Sequence, residues 1–250
     1  MPFRIATHAD VPRIAELLAA SFGPDRLFQV MFPHQKEYPE DFVRALRLKT
    51  YESWWDYAKV FVVSYETVNE GTNGGRSETD ALVRSRNTRE VLTGIAEWEK
   101  VGQGWEDVWG IGWWDPNPYP LTYYNFIQRL IPFTKSYFSP PWRRNHWSLE
   151  VLAVHPDYHY RGIGRDLAAW GLERAKADGV PAVVVAAKGK ETFYRRCGFE
   201  LLVGYSSEGI DDNGNKNPLG ERAPGGGAVL WTKTKEDEEA EGAAATTAAQ

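Results

Sequence analysis

The chain is short of the features that define several protein classes. It has one cysteine, Cys197, which excludes an intrachain disulfide and leaves metal sites built on several thiolates without ligands. No stretch approaches the roughly 18 uninterrupted apolar residues of a membrane-spanning helix. The N-terminal MPFRIATHAD holds no long apolar run, so no secretory signal is read there. There is no excess of basic charge either. The formal net charge is −5, and Glu236, Asp237, Glu238, Glu239 and Glu241 near the C-terminus supply as much, leaving the body close to neutral. That balance does not favour a nucleic-acid partner, which calls for a basic face. No internal repeat is visible. These absences set an expectation of a cytoplasmic protein, the nucleus left open, with no nucleic acid, no membrane span and no metal.

What is present is enough for a core: 42% of the 250 residues are hydrophobic, which fits one sizeable folded domain with insertions, or two small ones. Phe3–Ala6 reads as a short strand. Asp10 is the expected N-cap of a helix with Ile14, Leu17, Leu18 and Phe22 on one face, stopped by Gly23. Residues 24–34 read as a loop displaying Leu27, Phe28, Met31 and Phe32. Pro39 suits the first turn of a second helix through Phe42, Leu46 and Trp54. Val60–Tyr65 and Val91–Val101 read as strands, separated by a polar, aperiodic insertion over 66–90 expected to be flexible. A second insertion, 102–145, holds Trp105, Trp109, Trp113, Trp114 and Trp142, with a helical pattern around Leu121–Leu130. Core cover, substrate wall, membrane-surface patch and oligomer contact are all open readings of these aromatics.

The most informative stretch is Leu149–Arg165, LEVLAVHPDYHYRGIGR. An alternating strand runs into His155–Pro156, and a turn delivers Arg161-Gly162-Ile163-Gly164-Arg165 to the start of a helix. The first N–H groups of a helix lack intrahelical partners and point at one spot, where the helix dipole adds positive charge. Gly162 and Gly164 let a phosphate approach the main chain, and Arg161 and Arg165 add charge. The turn is therefore expected to take a pyrophosphate-bearing ligand. Downstream, Ile163, Leu167, Ala168, Gly171, Leu172 and Ala175 keep helical spacing, and Ala182–Ala187 reads as a strand buried on both faces. Glu191–Arg196 is a short helix, Phe199–Tyr205 a strand, 206–227 a long Gly/Pro/Asn loop and Ala228–Thr232 a last strand. From Lys235 the acidic and Ala/Thr-rich tail is expected to be disordered. Alternating strands and helices give a mixed α/β fold.

HPDYHYRGIGRDL, followed by helix, buried strand and FYRRCGFE, resembles the GNAT superfamily of acyl-CoA-dependent N-acyltransferases. The family's pyrophosphate signature, [QR]-x-x-G-x-[GA], is met by Gly162 and Gly164, with His159 in place of Gln or Arg. A second signature is met by Phe193, Tyr194, Gly198 and Phe199. The likeness is close over Trp147–Tyr205 and loose over the N-terminal strand–helix–helix–strand. It implies a central, mostly antiparallel sheet with a splayed fourth strand, flanked by helices, as one domain over 1–234 followed by the tail 235–250. A dinucleotide-binding Rossmann domain is not indicated, because its fingerprint is G-x-G-x-x-G after a first strand.

The resemblance also implies acetyl-CoA as co-substrate, held by main-chain groups of Leu152, Ala153 and Val154 and at His159, Tyr160, Arg161, Gly162, Ile163, Gly164 and Arg165. A small-molecule primary amine would attack directly in a ternary complex, in a monomer or homodimer. At pH 7 such an amine is neutral in only about one molecule in 10³, a cost of roughly 4–5 kcal/mol, so a base is useful. Glu150, expected to share a strand face with Ser148 and Val154, is the candidate base; ion pairing with Arg143 or Arg144 is the alternative. His155 is a weaker base candidate. Tyr194 is the candidate donor to the leaving thiolate. Arg195 and Arg196 are read as solvated, and Cys197 as a small apolar residue rather than a nucleophile. Phe28, Met31 and Phe32 are expected to wall the acceptor. Acetylation of peptide N-termini or protein lysines, and a catalytically silent acyl-CoA-binding module, are the alternatives.

Overall fold

The computed structural model describes residues 2–69, 88–102, 132–217, 220 and 226–240. In chain order these form β1 (Phe3–Ile5), α1 (Val11–Phe22), α2 (Arg26–Met31), α3 (Pro39–Trp54), β2 (Lys59–Asn69) and β3 (Thr88–Val101). Helix α4 over 132–138 precedes β4 (His146–Val154), α5 (Ile163–Asp178), β5 (Ala182–Ala186), α6 (Glu191–Cys197), β6 (Leu201–Tyr205), β7 (Ala228–Trp231) and α7 over 235–240.

The strands make one seven-stranded sheet in the order β1-β2-β3-β4-β5-β7-β6. Every pairing is antiparallel except β4 with β5. That parallel pair needs a crossover, which α5 provides. The mixed, mostly antiparallel sheet expected from the family resemblance is thus present.

Apolar side chains fall on both faces of the sheet, so it is covered twice. On one face Leu167 and Trp170 of α5 pack with Trp98, Trp147, Leu149 and Phe199; on the other Ile14 and Leu18 of α1 and Phe42 and Leu46 of α3 pack with Phe61, Val63, Ile95 and Ala153. Gly171 lets α5 settle directly on the indole of Trp98: a Cβ there would sit 2.1 Å from Cε2.

Several local expectations give way to tertiary context. Residues 24–34 are not all loop. The Asp25 carboxylate accepts from Leu27 N–H at 2.8 Å and starts α2, whose Phe28 stacks on Phe22 at 4.7 Å. Asp10 stands at the N-cap of α1, as expected, but its side chain does not cap the helix. Its fully buried carboxylate turns back to accept from Thr7 N–H at 2.7 Å and from Arg4 and Arg13. Strands β2 and β3 run past the expected ends to Asn69 and from Thr88, so paired arms reach into the first insertion; its remainder, 70–87, lies outside the described residues. So do Trp105, Trp109, Trp113, Trp114 and Leu121–Leu130. The described end of the second insertion packs: Tyr137 and Phe138 lie against Val183, Val229 and Trp231.

The tail is not disordered from Lys235. Asp237, 4% exposed, accepts from Arg143 Nη2 at 2.8 Å and Trp142 Nε1 at 3.0 Å, which fixes α7 to the sheet end. The run of charge around it gives no sign that one member faces inward. Among the described residues no helix is long and apolar enough to cross a membrane.

Candidate active site

Three features meet around β4. The first is a fork in the sheet. β4 and β5 pair only from Trp147↔Ala182 to Leu149↔Val184. Beyond Leu149 the strands part, so Val185 on β5 is half exposed, although its sequence run reads as doubly buried. The second is a bulge at the same place. Leu149 faces Trp98 and Val151 faces Glu97, which leaves Glu150 as the extra residue on β4. The bulge also changes which face each side chain takes. Leu149, Leu152 and Val154 pack on the α5 side, whereas Val151 and Ala153 pack under α1 and α3. Strict alternation had put Glu150 with Val154; instead Glu150, exposed, accepts from the Ser148 hydroxyl at 2.5 Å.

Main-chain groups on the open edge follow from register. His155 N–H donates to Thr93 O at 2.9 Å, so alternation assigns both groups of Ala153 to Ile95 on β3. Ala153 therefore has none to offer a ligand, contrary to expectation. Leu152 and Val154 turn theirs the other way. A carbonyl has two lone pairs, and those of Val154 already accept from Ser21 Oγ at 3.1 Å and His159 Nε2 at 2.9 Å. The open edge offers Leu152 N–H and C=O and Val154 N–H. His159, expected at the ligand, spends its side chain bracing the turn.

The third feature is that turn. A 3-10 segment, Pro156–Tyr158, leads to Tyr160 at φ 63° and Gly162 at φ 80°, and α5 starts at Ile163 with no side-chain cap on its first N–H groups. The left-handed conformation suits Gly162 and is strained at Tyr160, whose side chain stands free in solvent. Above Gly162 there is room: an added Cβ would meet only Arg165 Nη2, at 3.8 Å. Arg161 lies over the Tyr158 ring at 4.8 Å and donates to Asp157 O. Uncapped donors, a helix N-terminus and two guanidinium groups fit a pyrophosphate.

The second signature packs against the first. The Phe193 ring lies beside Gly164, 3.3 Å from where its Cβ would stand. Tyr194 sits edge-on to Phe199 at 6.0 Å and has no hydrogen bond among the described residues. Burial pushes its hydroxyl well above the ordinary tyrosine range, so it stays a proton donor. Burial likewise raises the Cys197 thiol, with Arg165 opposing, which disfavours a thiolate nucleophile. Arg195 and Arg196 are exposed.

Of the alternatives for Glu150, Arg143 is engaged elsewhere, with Asp237 and Tyr137 O. The charged groups around Glu150 were not anticipated from sequence. Lys59 on β2 lies 3.3 Å from Glu97 Oε1 and 3.6 Å from Glu99 Oε2. Alternating Glu97 and Glu99 on β3 was the available signal, obscured because both flank Trp98 in a strand read as core. Phe28 and Phe32 close on Phe22 and Phe42 as part of the core under α1 and α3. Met31 is half-buried. A cavity of about 510 Å³ opens beside them, lined by Gly23, Gln35, Lys36, Phe42 and others. Its lining includes Ala19 and Gly23 but neither Ser21, which reaches Val154 O, nor any residue of the turn.

Residues 131–201 match the family described as acetyltransferase (GNAT) domain. No curated protein matches the sequence. Among solved structures, a mosquito arylalkylamine N-acetyltransferase like 5b is 13% identical, with TM-score 0.53, over 92% of this chain and 97% of that one. A Corynebacterium glutamicum protein described as histone acetyltransferase HPA2 and related acetyltransferase is 19% identical, with TM-score 0.49, over 92% and 94%. A Brucella melitensis GNAT acetyltransferase in complex with acetyl-CoA is 14% identical, with TM-score 0.40, over 80% and 82%. The first shows a shared fold. The stretch that matches the GNAT acetyltransferase domain, 131–201, contains both the signature turn and the fork between β4 and β5.

Proposed function

We propose that the protein transfers an acetyl group from acetyl-CoA to the primary amine of a small molecule by direct attack. The observation that carries this reading is the geometry of one strand: β4 has an uncapped, cation-flanked helix start beyond one end and a bulged carboxylate, Glu150, at the fork. Val154 and Glu150 are four residues apart, about 13 Å along a strand, which suits an extended pantetheine arm. The first-turn N–H groups of α5, with Arg161 and Arg165, hold the pyrophosphate. Leu152 N–H and C=O and Val154 N–H pair with the arm, and one of these N–H groups faces the developing oxyanion of the thioester. Glu150 takes a proton from the incoming ammonium. Tyr194 donates a hydrogen bond to the leaving thiolate, and its raised pKa keeps the proton in place for that task.

The small-molecule acceptor is favoured by residues 24–34, the segment expected to wall it, which carry no basic or acidic run. Thiol release from acetyl-CoA across a panel of alkyl- and arylalkylamines, basic peptides and protein lysines tests it. Release with small amines alone is expected. Release only with peptides would overturn the acceptor class, and none with any amine would overturn the activity.

A further inference from the structure

Behind Glu150, the sheet face under α1 and α3 holds charge that the reaction above does not use. Ser148, which donates to Glu150, stands directly opposite Glu99 in the β3–β4 register. Directly facing side chains in an antiparallel pair have Cβ atoms about 4.5–5.5 Å apart. Glu99 is tethered from the other side by Lys59, 3.6 Å away, and its side chain is 28% exposed. Glu97, by contrast, is sealed in the core and its Oε1 accepts no hydrogen bond, its nearest described cation being Lys59. Three strands therefore bring a hydroxyl bonded to Glu150 into register with a second carboxylate, Glu99, and Lys59 stands behind that one.

We infer that Glu99 is a positioning residue for acetyl transfer, the far end of a proton relay that starts at Glu150 and passes through the Ser148 hydroxyl. The inference rests on the proposed function. Glu150 takes a proton from the substrate ammonium and becomes a carboxylic acid. It passes that proton to Ser148 Oγ as Ser148 gives its own to the Glu99 carboxylate. Glu150 is restored as a base, and Glu99, reached by solvent, releases the proton to water. No charge is lost and no co-reactant is needed.

The electrostatics suit the role. Burial pushes the Glu99 carboxyl up to about 7; Glu150, Asp56 and Glu97 push the same way, and Lys59 opposes them. Burial also works against the Lys59 charge, but the four surrounding carboxylates outweigh it and hold Lys59 above its usual range. Glu99 is thereby poised near neutrality.

The test measures kcat/KM for acetyl-CoA and a primary alkylamine between about pH 5 and 9, with coenzyme affinity by calorimetry, on the full chain. Wild type should gain activity through a limb near pH 7. Glu99→Gln should lose that limb and fall about 10- to 100-fold with coenzyme affinity unchanged. Lys59→Met should move the limb to higher pH, because a cation that favours the carboxylate is gone. Ser148→Ala, which leaves Glu99 in place, should fall as far as Glu99→Gln, and the double variant no further. Limbs unmoved by Lys59→Met, or full activity in Ser148→Ala and Glu99→Gln, overturn the relay while the acetyltransferase stands. A wild type inactive with every amine overturns both.

Discussion

Replacing Gly171 by alanine sets two opposing effects against each other at one atom. In a helix interior alanine is better than glycine by about 1 kcal/mol, so propensity alone predicts a more stable protein. The new Cβ, however, would lie 2.1, 2.3 and 2.4 Å from Cε2, Cδ2 and Cζ2 of Trp98. Carbon atoms in contact sit about 3.5–4.0 Å apart, so helix and ring must separate by more than about 1 Å. The indole has nowhere to go. It is fully buried, with Phe199 stacked at 6.4 Å and Trp147 edge-on at 6.5 Å. Overpacking of a closed core costs about 1–3 kcal/mol, and a displacement this large belongs at the upper end. The net loss is then about 2 kcal/mol, a fall in Tm of about 4–8 °C for a chain of this size. Trp98 also faces Leu149, the residue before the bulged Glu150, so amine turnover should fall with stability. Calorimetric or fluorescence melting measures the first effect. In a Trp98→Phe background, where the smaller ring leaves space, the added penalty of Gly171→Ala should shrink. A single variant that melts at or above the wild-type temperature would refute this account of how α5 sits on the sheet.

Three further outcomes are expected. Tyr194→Phe should lower turnover 10- to 1000-fold with unchanged coenzyme affinity; steady-state kinetics with calorimetry separate the two, and unaltered turnover removes the donor role. Gly162→Glu puts a side chain on a residue at φ 80° and a negative charge over the uncapped α5 start, so coenzyme affinity should fall at least about 100-fold, or 2.7 kcal/mol; unchanged calorimetric affinity moves the phosphate elsewhere. Asp237→Ala leaves the 6%-exposed Arg143 charge without its partner and should cost about 3–5 kcal/mol. Despite the cost of burial, Trp142, Arg143 and Thr234 hold the Asp237 carboxyl below the usual range. The wild-type advantage in melting should therefore be full above about pH 4 and shrink as pH falls below it; a pH-independent difference counts against the buried pair.

The sequence by itself determined the turn and helix start at which the donor is proposed to bind. Gly162 and Gly164 are contiguous with the strand before them and the helix after them, so turn, helix start and flanking arginines are local features that glycine placement and periodicity make legible. The α5 face and the apolar strands were readable for the same reason. Tertiary structure decided the rest, because it depends on pairing between distant segments. The bulge at Glu150 exists only against β3, and it moves that carboxylate away from the Val154 face which simple alternation assigns. The commitment of Ala153 to Ile95, and of the Val154 carbonyl to Ser21 and His159, is set by neighbours that no local pattern names. Asp237 reads as one of a run of solvated acids until Arg143, 94 residues earlier, is found beneath it. Lys59, Glu99 and Ser148 lie on three strands and become one group only when the sheet forms.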